Sequence, residues 1–526
     1  MLSRHRFYII ATISILLTII IGLFWHPFFY FFILVAPLVL LGIHDVLQTK
    51  RNILRNYPVI GHLRHMMETI RPQIRQYYIE SNMDEVPYSR EQWELVKERA
   101  TKTQDNLPFG TLRDVKAIGY EWINHSIVPK KVIEHELKVV FGGPDCKQPY
   151  LASRLNISAL SFGALSNRAI RALNLGAKMG GFAHNTGEGG LSPYHLMEGG
   201  DIIWQLGTAY FGARTSEGNF DAVEFAKKAA LPQVKMIEIK LSQGAKPAHG
   251  GILPAAKITE EISKIRGVAM GEDCLSPPAH TAFSTPIGLL QFVQQLRDLS
   301  GGKPIGFKLC IGIAAEFMAI CKAMLETKIT PDFITVDGSE GGTGAAPLEF
   351  VDFVGMPLNE GLVFVNNCLT GIGLRKQIRI IASGKIVTGF DILSKIALGA
   401  DTCNMARPMM FALGCVQSRK CHTNRCPTGV ATQDPSRMYA LSIASRAPRV
   451  HNFHDETLKS FRELLGATGV GHPDNLNPSR IRRRISATEV KRLSDIYPRF
   501  AEGALLEGNV PHPYDEYWLH AKAESF

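Results

Sequence analysis

Residues 414–429 read GCVQSRKCHTNRCPTG. Three cysteines, Cys415, Cys421 and Cys426, fall within twelve residues, with Arg419, Lys420, His422 and Arg425 among them. Thiolates are soft ligands for transition metals, and they close disulfides where the compartment oxidises. Otherwise a cysteine is a small core residue. Spacing alone leaves three readings open: ligands, a disulfide with a spare thiol, or packed thiols. Compartment and fold decide among them.

A second set of stretches is rich in glycine: SFGALSNRA (161–169), NTGEGG (185–190), SQGAKPAHGG (242–251), GSEGGTGAAP (338–347), SGK (383–385) and MARPMMFALGC (405–415). Each follows an apolar run, and such ends let backbone N–H groups approach a ligand closely. Any single glycine here is explained by a tight turn. Gly384, Lys385, Ala406 and Arg407 fall in two successive stretches of this kind, which suits phosphate binding.

These residues need a scaffold. The chain has 526 residues, 45% of them hydrophobic, enough for one large core or two domains. Nine cysteines are far too few for a disulfide scaffold. The net charge of +10 is concentrated in RIRRR (480–484) and just after the apolar N-terminus. No nucleic-acid motif accompanies these runs, so no nucleic-acid partner is expected. They suit an anionic membrane face, an acidic redox partner or a solvated helix face.

Phe7 to Trp25 is an uncharged run of 19 residues, long enough to cross a bilayer core of about 30 Å. Phe28 to Ile43 is a second apolar run of 16 residues containing Pro37, short enough to be either a span or a re-entrant hairpin, and His26-Pro27 makes a turn between them. A cleaved signal peptide is the competing reading, but the first run is long for one and no small-residue cleavage site follows it. Arg4 and Arg6 precede the hairpin; Lys50, Arg51 and Arg55 follow it. The reading is a two-helix anchor in the inner (cytoplasmic) membrane with both ends in the cytoplasm, where thiols stay reduced. That argues against a disulfide at Cys415.

From residue 151 a rhythm sets in. Candidate strands at 155–160, 180–185, 201–206, 235–241, 304–310, 332–338, 378–383 and 401–406 alternate with helical segments, the 186–200 link excepted. Eight such units predict an α/β fold, a (β/α)8 TIM-type barrel, with chemistry at the strands' C-terminal ends. A doubly wound open sheet is the runner-up; the count of eight and the lack of GxGxxG after the first strand favour the barrel. The expected organisation is a membrane hairpin at 1–50, a helical connecting segment at 51–150, the barrel at 151–440 and a helical segment at 441–526. Cys403 and the other five cysteines outside the cluster read as core residues.

The stretches SFGALS, NTGEGG, EIKLSQGAKP, DGSEGGTGAAP and GC-x5-CHTNRCPTGVATQ, in this order over about 107–440, closely resemble the FMN and iron–sulfur synthase domain of glutamate synthase. The whole chain resembles the short, membrane-associated members of that family. The resemblance implies FMN and a [3Fe-4S] cluster. It makes Cys415, Cys421 and Cys426 the cluster's three thiolates, with neighbouring cations offsetting their charge. Zinc would need a fourth ligand, and His422 is adjacent to Cys421. The same resemblance makes Ala159, Ser161, Gly163, Gln205 and Lys240 flavin contacts, and Gly341, Gly342, Gly384, Lys385, Ala406 and Arg407 phosphate and ribityl candidates. Lys240 would stabilise the reduced ring. Its competing role is a salt bridge inside the barrel with Glu238 or another acid.

By the same resemblance the activity is reduction of 2-iminoglutarate, from 2-oxoglutarate and ammonia, to L-glutamate. Glu188 matches an acid near the reacting carbon, Lys246 a substrate lysine and Arg266 a substrate arginine; the alternative for Arg266 is an exposed helix residue. The family's KPGEGGQ is KPAHGGI here, with His249 and Ile252 in place of the acid and the glutamine, and SPPAHTAFSTP replaces SPPPHHDIYS. The pocket therefore admits a second reading, an N-methylglutamate synthase-like or other amino-acid oxidoreductase. A non-catalytic electron-transfer module is the third. The chain starts Met1-Leu2-Ser3 rather than with a glutaminase cysteine, and it carries no Rossmann glycine motif. Ammonia is thus expected from solution or a partner, and electrons from ferredoxin, a separate reductase or a membrane-bound donor.

Overall fold

The computed structural model describes residues 4–78, 87–103, 106, 108–133 and 137–526. Two N-terminal helical stretches, of 21 and 22 residues, are long and apolar enough to cross a membrane. The first is α1 (Arg4–Phe24). The second is a 3-10 turn, His26–Phe31, that runs on into α2 (Phe32–Leu47), with Pro37 inside it. Most of their apolar side chains are exposed.

The foot of this hairpin is fastened to the body. Asn52 and Asn56, in α3 (Asn52–Asn56), donate to the carbonyls of Thr428 at 2.9 Å and Pro427 at 3.3 Å, just past Cys426. The buried Arg446 donates to the Lys50 carbonyl at 2.7 Å and to Asn52 Oδ1. Arg4 and Arg55 lie over the ring of Tyr439, at 4.4 and 4.1 Å from its centroid.

The connecting segment is helical only in its first half, α4 (Gly61–Tyr78) and α5 (Arg90–Thr101). Beyond it the described chain is mostly turns and irregular backbone with short strands, which corrects the expectation of a helical segment to residue 150. Lys138–Phe141 and Tyr150–Ser153 form an antiparallel hairpin. Its Val139, Phe141, Tyr150 and Ala152 pack with Ala183, Ile203, Met236, Phe333 and Ile381 of the barrel as a separate buried cluster.

Eight parallel strands close the barrel: β1 (Leu155–Ile157), β2 (His184–Asn185), β3 (Ile202–Leu206), β4 (Val234–Lys240), β5 (Ile305–Leu309), β6 (Phe333–Asp337), β7 (Arg379–Ser383) and β8 (Thr402–Met405). Each lies within its expected run except β4, which starts one residue early at Val234. Strands β3, β5 and β6 are buried at every residue, because the ring has side chains inside and helices outside. The helices that cover it include α6 (Asn167–Gly180), α7 (Ala222–Ala229), α8 (Pro286–Leu299), α9 (Ala314–Thr327), α10 (Leu358–Gly371) and α11 (Gly389–Leu398). The 186–200 link carries only the single turn Pro193–Leu196.

Past the barrel, α12 (Ile443–Ala467) packs against α5, α6 and α11. The arginine run then departs from its reading as part of a helical segment. Ile481–Arg484 is the middle strand of a three-stranded antiparallel sheet between Glu121–Ile123 and Val490–Arg492. Arg483 pairs with Glu121 across it, Nε to Oε1 at 2.7 Å, so cross-strand charge and not solvation occupies this cation.

Candidate functional site

A cavity of about 650 Å³ opens at the C-terminal ends of the strands. Glu188, Lys246 and Arg266 all line it, as do Ala159, Ser161, Gln205, Lys240, Gly341, Gly342, Ala406 and Arg407. Cys415, Cys421 and Cys426 form part of the same wall. Gly163, Gly384 and Lys385 do not reach it. Gly163 instead packs beside the guanidinium of Arg266.

The interior is organised by charge. Glu238, on β4, is 1% exposed and takes three neutral donors: Asn185 Nδ2 at 2.8 Å, Gln205 Nε2 at 2.6 Å and Thr335 Oγ1 at 2.6 Å. Lys240, the last residue of β4, therefore bonds elsewhere, to Glu188 Oε2 at 2.9 Å. Burial works to raise the Glu188 pKa, but Lys240, Lys246 and Arg266 overcome it and hold the carboxyl below its usual range. Glu188 is thus an ionised acceptor at neutral pH. Gly251 gives it room: a Cβ there would lie 2.6 Å from the carboxylate.

Lys246 is 1% exposed and donates to the Ala345 carbonyl at 2.8 Å. Burial, partly offset by Glu188, brings its ammonium down to about 8. Its loop is held by Asp337, which accepts from Gly244 N–H at 2.8 Å and pairs with Lys308 at 3.3 Å. Arg266, at the end of the helix Glu260–Arg266, is 5% exposed, not on the surface. It donates to the Phe162 carbonyl at 3.1 Å, lies over the Phe211 ring, and keeps Nε buried without a partner. Arg407 donates to the Glu340 carbonyl at 3.0 Å and stacks on Tyr88. Gly342 makes room for it, since a Cβ there would lie 2.5 Å from the guanidinium.

All nine cysteines are free, Cys415, Cys421 and Cys426 of the cavity wall included, so the disulfide reading falls. Burial and its two neighbouring thiols raise Cys415 to about 12, and burial and Cys426 raise Cys421. The three thiols therefore feel one another's charge. Among the described residues no three His, Cys, Asp or Glu side chains are gathered tightly enough to hold a metal ion. Trp93 Nε1 donates to the Cys415 carbonyl at 2.9 Å. Of the two departures noted in the sequence, Ile252 lines the cavity while His249 turns away, its ring against Phe350.

Sequence reasoning missed two residues here. Gln243 lines the cavity with its side-chain nitrogen buried and unpartnered; its place in the SQGAKP stretch was a signal. Lys257 is 2% exposed behind the cysteines, and nothing in the sequence around it distinguishes it from a surface lysine.

Fold and site together define a barrel enzyme whose strand ends gather cations, one ionised acid and three thiols around a single cavity. Residues 122–471 match the family described as the conserved region in glutamate synthase. The chain is 37% identical over 512 residues to the glutamate synthase large subunit-like protein YerD of Bacillus subtilis, covering 89% of this chain and 97% of that one. It is 35% identical over 369 residues to an archaeal glutamate synthase [NADPH] of Methanocaldococcus jannaschii, covering 70% and 68%. Likeness to a solved flavocytochrome b2 is looser, at 13% identity and a TM-score of 0.43 over 86% and 91% of the chains, and adds nothing to this. The chain belongs to the glutamate synthase family and is an oxidoreductase of that type.

Proposed function

We propose that this chain is a membrane-anchored glutamate synthase-type enzyme that uses FMN and a [3Fe-4S] cluster to reduce 2-iminoglutarate, formed from 2-oxoglutarate and ammonia, to L-glutamate. The observation that carries the reading is the convergence of Glu188, Lys240, Lys246 and Arg266 in one cavity walled by Cys415, Cys421 and Cys426.

The residues present fit both groups. A cavity of about 650 Å³ is of the size that small-molecule sites occupy. Its wall offers the backbone of Ala159 and Ser161, the Gln205 amide and Lys240 to a flavin ring, and Gly341, Gly342, Ala406 and Arg407 to its ribityl chain and phosphate. Three thiols that sense one another without crowding one point suit a cluster, in which each thiolate serves its own iron. Iron would deprotonate these thiols, although burial raises Cys415 and Cys421. When bound, the flavin would supply hydride to the imine carbon and the cluster would supply its electrons.

The chain's own residues do the rest. Lys246 and Arg266 carry the charge to hold two carboxylates. Arg266 brings a buried Nε without a partner. Glu188, ionised, holds the N–H of a positively charged imine and fixes the electrophilic carbon. Lys240 sits where negative charge on a reduced ring would be offset. Ile252 supports a second reading, an N-substituted or bulkier amino acid as product, since an apolar wall replaces an amide. The two N-terminal helices support an anchor in the cytoplasmic membrane with the barrel on the cytoplasmic side, and ferredoxin or a separate reductase is the expected donor.

The test is turnover of the full chain in mild detergent, with chemically reduced donor, against a panel of 2-oxo acids with ammonia or methylamine. Glutamate from 2-oxoglutarate and ammonia is the expected product. N-methylglutamate from methylamine would favour the second reading. Bound flavin with no turnover of any 2-oxo acid would overturn both.

A further inference from the structure

Lys257 closes the short 3-10 turn Ala255–Lys257 that leads to the helix carrying Arg266. Its ammonium is buried and has three acceptors, all backbone carbonyls: Ala164, Cys421 at 3.2 Å and Ala431 at 3.4 Å. Ala164 belongs to the loop after β1, Cys421 is the middle cysteine, and Ala431 lies five residues past Cys426. The preceding residue is tied to the same loop as Cys421, since Asn424 Nδ2 donates to the Ala256 carbonyl at 2.8 Å. Among the described residues no carboxylate pairs with Lys257.

Carbonyl dipoles solvate an ammonium but do not cancel its charge, and a buried cation without an anion is strongly disfavoured. Arg266, of the active site, has the same sign and adds to the cost. The groups beside Lys257 able to become negative are the thiols of Cys421 and Cys426.

We propose that Lys257 is the internal counter-cation of the cluster held by Cys415, Cys421 and Cys426, and that it raises the cluster's reduction potential. The inference rests on the reading of these cysteines as cluster ligands. Reduction of such a cluster takes up one electron, breaks no bond and makes the site one unit more negative. A fixed positive charge at the wall favours the reduced state. Because the same ammonium holds the loop after β1, Lys257 is a positioning residue for both walls of the cavity.

The experiment is a redox titration of the full chain in detergent, followed by low-temperature EPR, with iron content measured in parallel. Methyl viologen and dithionite serve as mediator and reductant. K257M keeps the length of the side chain and removes the charge. It is expected to shift the cluster midpoint to more negative potential, by more than it shifts the flavin, while K257R stays near wild type. Should K257M lose iron while K257R retains it, the charge is again what holds the site. An iron-replete K257M with the wild-type midpoint would overturn the inference, as would equal loss of iron in both variants. A wild-type protein without iron would overturn the cluster reading, and the inference with it.

Discussion

Lys240 Nζ lies 2.9 Å from Glu188 Oε2, joining the last residue of β4 to the loop after β2. The pair does more than hold the loop, because Lys246 and Arg266 add to the same field and keep Glu188 ionised. In the proposed reaction an ionised Glu188 accepts the N–H of the imine. E188Q keeps the size and removes the charge. Turnover is expected to fall about 100- to 10,000-fold, the usual range for a positioned acid–base group, with the flavin spectrum unchanged. Wild-type turnover in E188Q, measured under saturating donor, would remove Glu188 from the site.

Lys246 sets a pH limit. Its ammonium, buried against the Ala345 carbonyl, sits at about 8 where an exposed lysine is near 10.5. The charge needed for a substrate carboxylate is present below about 8 and is lost as pH rises through it. For the free enzyme, kcat/KM for the 2-oxo acid is therefore expected to decline above about pH 8, through KM more than kcat. A flat profile from pH 7 to 9.5 would show that Lys246 does not bind the carboxylate.

The barrel was legible in the sequence, because each strand is a short apolar run ending in a turn residue. The run at 332–338 became β6 (Phe333–Asp337) with only its ends trimmed. At 180–185 the expected strand shrank to His184–Asn185, because Gly181 caps α6 with a positive φ of 62°. The glycine-rich stretches pointed to the right end of the barrel. Of the stretch after β7, neither Gly384 nor Lys385 lines the cavity. The hairpin beside Phe333 was not legible, because each of its strands is only four residues long, too short for a periodic pattern to stand out. Lys257 could not be found at all. Its acceptors come from segments 93, 164 and 174 residues away, which only the closed fold brings together.

Ile252 offers a gain-of-function test of specificity. It lines the cavity, it stands where the resemblance noted in the sequence implies a glutamine, and it cannot donate to a carboxylate. A hydrogen bond to a charged group is worth about 1.5–3 kcal/mol, or about 10- to 100-fold in binding. I252Q is expected to lower KM for 2-oxoglutarate by up to that factor and to penalise bulkier 2-oxo acids. The ratio of kcat/KM for 2-oxoglutarate to that for a larger 2-oxo acid measures it. No change in the ratio would place the specificity elsewhere on the wall.

Four histidines should make the fold acid-sensitive. His184, His195, His280 and His454 are all less than 9% exposed, and burial pulls each below the usual value. His195 and His280 fall to about 4 and His454 to about 3, while His184 shifts in the same direction with both ring nitrogens unpartnered. In the unfolded chain all four take up protons below about pH 6.5, whereas the folded barrel keeps them neutral. Unfolding therefore binds protons in that window. Each histidine removes about 1.4 kcal/mol of stability per pH unit below about 6.5, until its folded value is reached. Above pH 7 they contribute no pH dependence. Urea unfolding of the detergent-solubilised chain, followed by tryptophan fluorescence, is expected to show a midpoint that is level near pH 7 and falls steeply between pH 6 and 4. H280Q, chosen because His280 bridges Tyr210 Oη and the Lys240 carbonyl at 3.0 and 2.9 Å, should flatten part of that slope at some cost in stability at pH 7. A midpoint constant from pH 7 to 4.5 would mean that these rings take up protons inside the fold.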